Sequence, residues 1–249
     1  MRNNSTFQRS PSSPADWPPE AFPIWPSIAA AIGGAFLYLA TAIVLVRTLG
    51  VTAQSIRSVQ LTPAIVEAQV LGYVPILAYM ALVLPPLARR SLRDIVGPWS
   101  GRTIPAGLAG AFFMWLAVTV VAAIEYKLFG NQPTQTAVRL FEHAQPGLWL
   151  DIMVLVAVTL GPLVEELVFR GFVFNAFWKR MPFGAAALGS GIVFGFAHGQ
   201  PAGIAPLAAG GFVLATVYAR SGSLWPSMIA HGTFNGITLA LLLFAGIKT

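Results

Sequence analysis

The sequence predicts an all-α, polytopic integral membrane bundle of about seven to eight transmembrane helices. Two observations carry this. Of the 249 residues, 56% are hydrophobic and only 10% charged, where a soluble domain carries about 25% charged residues. The apolar residues also fall in runs long enough, or nearly so, to cross a hydrocarbon core that takes about 20 helical residues.

Residues 1–25 are rich in Ser and Pro and too polar to pack, so they read as a flexible tail. Trp17 and Trp25 are expected at the lipid head groups. The first apolar run begins late and lacks a small-residue cleavage site after a short core, so it should remain as an anchor. Apolar stretches then cover 26–49, 66–88, 104–124, 148–178, 183–199, 203–220 and 224–246. The fifth and sixth are short, with Gly199, Pro201 and Gly203 tightening their junction. Residues 26–147 carry no recognisable motif, and 148–246 hold every candidate for chemistry.

The net charge of +6 is read as loop charge that sets orientation and touches anionic lipid, not as a nucleic-acid surface. With a cytoplasmic amino terminus, Arg2, Arg9, Arg89, Arg90, Arg93, Arg102, Arg170, Lys179, Arg180 and Arg220 lie on that side. Arg47, Arg57, Lys127, Arg139 and Lys248 lie on the other, ten against five. The expected location is a prokaryotic plasma membrane with the amino terminus inside. The absence of cysteine excludes a thiol nucleophile and a thiolate metal site.

Glu165 and Glu166 stand out in the fourth stretch. A charged side chain near a helix centre costs roughly 2.5–3.5 kcal/mol on insertion scales. About twelve apolar neighbours at about −0.5 kcal/mol each only just offset such a pair. Glu166 and Arg170 form an i,i+4 pair suited to mutual neutralisation. Glu165 points about 100° away around the helix. His198 and Glu165 lie at similar distances from the Lys179–Pro182 turn, about 20–25 Å along an antiparallel hairpin. Glu165 is therefore expected to face His198. His231 and Asn235 share one face of the last stretch and descend from the same side of the membrane. In this reading Glu165 activates a water, His198 orients it or shares its proton, and His231 and Asn235 donate to a developing oxyanion.

These residues resemble the three motifs of the CPBP family, which comprises CAAX proteases and bacteriocin-processing or immunity-type (Abi) membrane proteases. The likeness lies in Glu165-Glu166-x-x-x-Arg170, then Phe194-x-x-x-His198, then His231-x-x-x-Asn235. Arg170-Gly171 and the run Ser221-Gly222-Ser223-Leu224-Trp225-Pro226 add to it. The resemblance implies an intramembrane endopeptidase acting on peptide or lipidated-protein termini, as eukaryotic members trim three residues from prenylated CAAX proteins. It implies Glu165, His198, His231 and Asn235 as catalytic residues, supported by Glu166 and Arg170. Members have been described both as metallopeptidases and as glutamate-dependent, metal-free enzymes. If zinc is bound, Glu165, His198 and His231 are its expected ligands. The H-E-x-x-H signature is absent, and a carboxylate-activated water is preferred.

Three other readings compete. A non-catalytic immunity or scaffold protein would keep the same fold. A proton or cation pathway would also use intramembrane Glu and His, but the chain carries no inverted repeat. Ser190 between Gly189 and Gly191 could serve as a nucleophile with His231 as base, although a serine among glycines more often marks close helix packing. Phe194 is read as packing, and His143 as a solvated loop residue.

Overall fold

The computed structural model describes residues 24–51, 60–89, 91–130, 136–201 and 203–244. Within them the architecture is all helical, with no strand. The helices are α1 (Ile24–Thr48), α2 (Pro63–Ala88), α3 (Leu92–Val96), α4 (Thr103–Phe129), α5 (Thr136–Glu142), α6 (Leu148–Trp178), α7 (Phe183–Ala197), α8 (Ile204–Ser221) and α9 (Leu224–Phe244). The amino-terminal tail with Trp17, the side chain of Trp25, and Arg57, Arg90 and Lys248 lie outside the described residues.

Six of these helices are long and apolar enough to cross a membrane; α7 is apolar but has only 15 residues, and α3 and α5 are shorter still. At 1.5 Å per residue α7 is about 22 Å long, short of the roughly 30 Å hydrocarbon core. Among the described residues the expected seven to eight apolar stretches appear as six helices of spanning length and one short apolar helix. The cause is local. Gly199 takes a left-handed φ of 70° directly after His198, which ends the helix early.

Side-chain capping explains the starts of α2 and α3. Thr62 accepts from the Ile65 amide at the start of α2, where Pro63 occupies a position that needs no donor. Ser91 and Asp94 form a reciprocal capping box on α3. α4 lies against α8 and α9, α7 packs along α8, and α9 crosses α6. The outward faces are apolar, including Phe36, Leu82, Phe112, Phe113 and Leu128, as hydrocarbon requires. The core gathers Leu84, Leu167, Phe174, Tyr218 and Leu224.

The long α6 is not a regular helix. Its backbone widens into π turns at Val156–Leu160 and Phe169–Phe174, one on each side of the glutamate pair. Pro162 accounts for the first. It has no N–H for the carbonyl four residues earlier, and its ring would collide with that group, the Val158 C=O. The turn opens and leaves carbonyls for neighbouring helices to satisfy.

Glycines let those neighbours come close. A Cβ on Gly191 would overlap the Ala208 carbonyl, and one on Gly195 would sit 2.6 Å from that of Ile204, so α7 and α8 touch backbone to backbone. Gly184, on the same helix, faces open space. Replacing Gly191 by Ala should therefore destabilise the protein by about 1–3 kcal/mol. Gly184→Ala should leave thermal unfolding in detergent unchanged.

Candidate active site

Arg170 is the anchor of the site. Its guanidinium is wholly buried, as is Glu166, and Nη1 donates to Glu166 Oε1 at 2.9 Å. Nη2 donates to the Gly211 carbonyl of α8 at 3.0 Å, and the charge lies 4.8 Å from the centre of the Phe194 ring. This second bond depends on the closeness of α7 to α8, because a Cβ on Gly211 would meet Gly191 Cα at 2.7 Å. The buried pair expected from the sequence is present. Glu166 Oε2 and Arg170 Nε find no hydrogen-bond partner, so the burial is not fully compensated, as functional sites tolerate.

Glu166 also engages a third residue. His231 Nδ1 donates to Glu166 Oε1 at 3.0 Å, with the imidazole almost fully buried. A carboxylate can only accept, so this contact puts the hydrogen on Nδ1 and turns Nε2 the other way. Nε2 stands 3.8 Å from Glu165 Oε2, which has no hydrogen-bond partner of its own. That separation is too long for a direct hydrogen bond, and both atoms are within reach of a single water. The side chain of Glu165 is 25% exposed, against none for Glu166.

The imidazole found at Glu165 is therefore that of His231, and the expected pairing of Glu165 with His198 gives way to it. Sequence spacing yields depth along a hairpin but not how closely a third helix approaches. Here a Cβ on Gly232 would overlap the Val158 carbonyl, which has no Pro162 N–H to accept from four residues on. Glycine lets α9 press onto the π turn and brings the neighbouring His231 onto the acidic face of α6. Asn235, one turn on, donates through Nδ2 to the Ala157 carbonyl of the same π turn at 2.8 Å. Its contact in this structure thus fastens α9 to α6.

His198 closes α7. Its Nδ1 donates to the Phe194 carbonyl at 2.8 Å, which leaves Nε2 as the free ring nitrogen. Its ring is edge-on to Phe194 at 4.7 Å between centroids, and Phe194 is edge-on to His231 at 5.7 Å. Phe194 is packing, as expected, yet its place is pivotal: one aromatic ring touches Arg170, His198 and His231. Ser190 is fully buried and donates to the Phe169 carbonyl at the second π turn, so its hydroxyl serves that turn. His143 is exposed and bonds the Arg139 carbonyl within its own helix end.

Among the described residues, no three His, Cys, Asp or Glu side chains stand close enough together to hold a metal ion. Glu166, which lies beside Glu165 and His231, is committed to Arg170. The expected set of Glu165, His198 and His231 is not assembled as a zinc site.

Sequence reasoning missed two parts of the site. The π turns could have been suspected from Gly161-Pro162 in the middle of a long span. Gly211 as a carbonyl acceptor for Arg170 has no side chain to reveal it. Removing the cation should be severe. Arg170→Gln leaves Glu166 buried without its partner and should cost about 3–5 kcal/mol. The measurement is the melting temperature in detergent, with Glu166→Gln/Arg170→Gln expected to recover part of the loss.

Residues 147–237 match the sequence model described as type II CAAX prenyl endopeptidase Rce1-like. A Bacillus subtilis (strain 168) protein named "Putative membrane peptidase YdiL" is 28% identical over 175 residues, covering 70% of this chain and 70% of that one. No solved structure matches the chain. The matched segment spans α6 to α9 and contains Glu165, Glu166, Arg170, His198, His231 and Asn235 alike. Over this segment the chain is similar to the type II CAAX prenyl endopeptidase family.

Proposed function

We propose that the protein is a membrane endopeptidase in which Glu165 is the general base for hydrolysis of a peptide bond by water. The observation that supports this best is the free Oε2 of Glu165 beside Nε2 of an imidazole whose other nitrogen is held. Arg170 fixes Glu166, Glu166 fixes His231, and His231 aims Nε2 at the space in front of Glu165. This is the logic of an oriented base, here applied to a water molecule.

A water bound between Glu165 Oε2 and His231 Nε2 would attack the scissile carbonyl as Glu165 takes its proton. The tetrahedral oxyanion needs donors. Asn235 retains a second amide hydrogen after bonding Ala157, and His198, its Nδ1 held by the Phe194 carbonyl, presents Nε2. The proton held by Glu165 would then pass to the departing amine. His231 thereby takes the water-orienting part, and His198 joins Asn235 at the oxyanion. The substrate would be a peptide bond near the carboxy terminus of a membrane-associated protein, with prenylated CAAX termini as the first candidates.

Glu165→Ala should abolish cleavage of a prenylated CAAX peptide by about 10²–10⁴-fold while leaving the melting temperature unchanged. Retention of the protein's cellular effect in that variant would instead favour a non-catalytic immunity or scaffold role. Chelator-treated protein should keep its activity, with zinc well below one per chain by elemental analysis. The amino terminus is proposed to be cytoplasmic. Because the chain has no cysteine, a single one at Arg93 reports orientation cleanly. It should react with a membrane-impermeant maleimide in inverted vesicles and not in intact cells.

A further inference from the structure

Tyr73 lies on α2, outside the matched segment, and no motif points to it. The structure nevertheless brings it to the acidic face of α6, where α2 packs. Gly161 sits one turn before Glu165 and has no side chain. Around the point where its Cβ would be, the Tyr73 hydroxyl lies at 3.3 Å, the Val156 carbonyl at 3.3 Å and Glu165 Oε1 at 3.9 Å. The hydroxyl and the carboxylate share the notch left by a glycine.

The two oxygens of Glu165 thus face different walls. Oε2 looks toward His231 and Oε1 toward Gly161 and Tyr73. Gln69 lies one turn earlier on the same helix. A phenol has one hydrogen to give and can accept as well. A carboxylate can only accept, so a phenol beside it is the partner that gives the hydrogen, directly or through a water. Tyr73 also lines a cleft between α1 and α2 with Tyr38, Thr41 and Gln69.

We infer that Tyr73 is a positioning residue for Glu165, holding its Oε1 edge so that Oε2 stays turned toward His231. This rests on Glu165 being the reactive carboxylate. A carboxylate on a flexible side chain has freedom that only a second contact removes, and misplacement of a reacting group by about 1 Å can cost roughly a hundredfold in rate. The first membrane helices would then contribute to the chemistry of the last four.

The test uses the full chain in phosphatidylcholine–phosphatidylglycerol nanodiscs. Infrared difference spectra between wild type and Glu165→Gln isolate the Glu165 carboxyl bands. Tyr73→Phe should shift these bands, Tyr38→Phe should not, and both variants should melt as wild type does. With a prenylated CAAX peptide, Tyr73→Phe should lower kcat roughly ten- to hundredfold with KM within about twofold. Unshifted Glu165 bands in Tyr73→Phe, or a kcat no lower than that of Tyr38→Phe, would overturn the inference. A wild-type protein that cleaves nothing would defeat the peptidase reading alone, since the infrared bands still decide whether Tyr73 holds Glu165.

Discussion

A guanidinium group buried among membrane helices must find its partners inside the protein, and the arrangement of this site follows from how Arg170 does so. It spends one arm on Glu166, another on the Gly211 carbonyl, and lays its charge against the Phe194 ring. Each contact recruits a different helix: α6 through Glu166, α8 through Gly211 and α7 through Phe194. Because an unpaired charge in this setting costs several kcal/mol, the three helices are tied to one another at this point. His231 then joins from α9 by sharing the Glu166 oxygen that Arg170 already holds.

The backbone takes part as fully as the side chains. Pro162 frees a carbonyl in α6, the π turn spreads the ladder, and Asn235 and Gly232 of α9 settle on the exposed groups. At the second π turn Ser190 of α7 does the same for Phe169. Irregular helix is expensive in hydrocarbon unless neighbours satisfy it. Here that requirement doubles as a means of docking, since the helices that repair the wide turns are those that carry His198 and His231. Glycines at 191, 195, 211 and 232 make the approach close enough for it to work.

Most of the cast of this site was legible in the sequence. Glu166–Arg170 is a local i,i+4 relation, and its geometry survives even though Arg170 falls in a π turn. The positions of the membrane helices follow from hydropathy. What was misjudged was partnership. His198 and Glu165 were aligned by counting residues from a turn, an argument that holds only for two regular, untilted helices. The π turns in α6 and the early stop of α7 break both conditions.

The sequence by itself determined which groups must be buried, that they lie on helices, and that one glutamate would be paired while its neighbour stayed free. These are consequences of local spacing and of the cost of charge in hydrocarbon, and neither needs a third dimension. The tertiary structure alone decided that His231 meets both glutamates, that Phe194 bridges the two histidines, and that Tyr73 shares the Gly161 notch with Glu165. Such contacts depend on helix rotation and on interaxial approach to within a glycine's width. Those are set by packing across residues far apart in the chain, which no local pattern records.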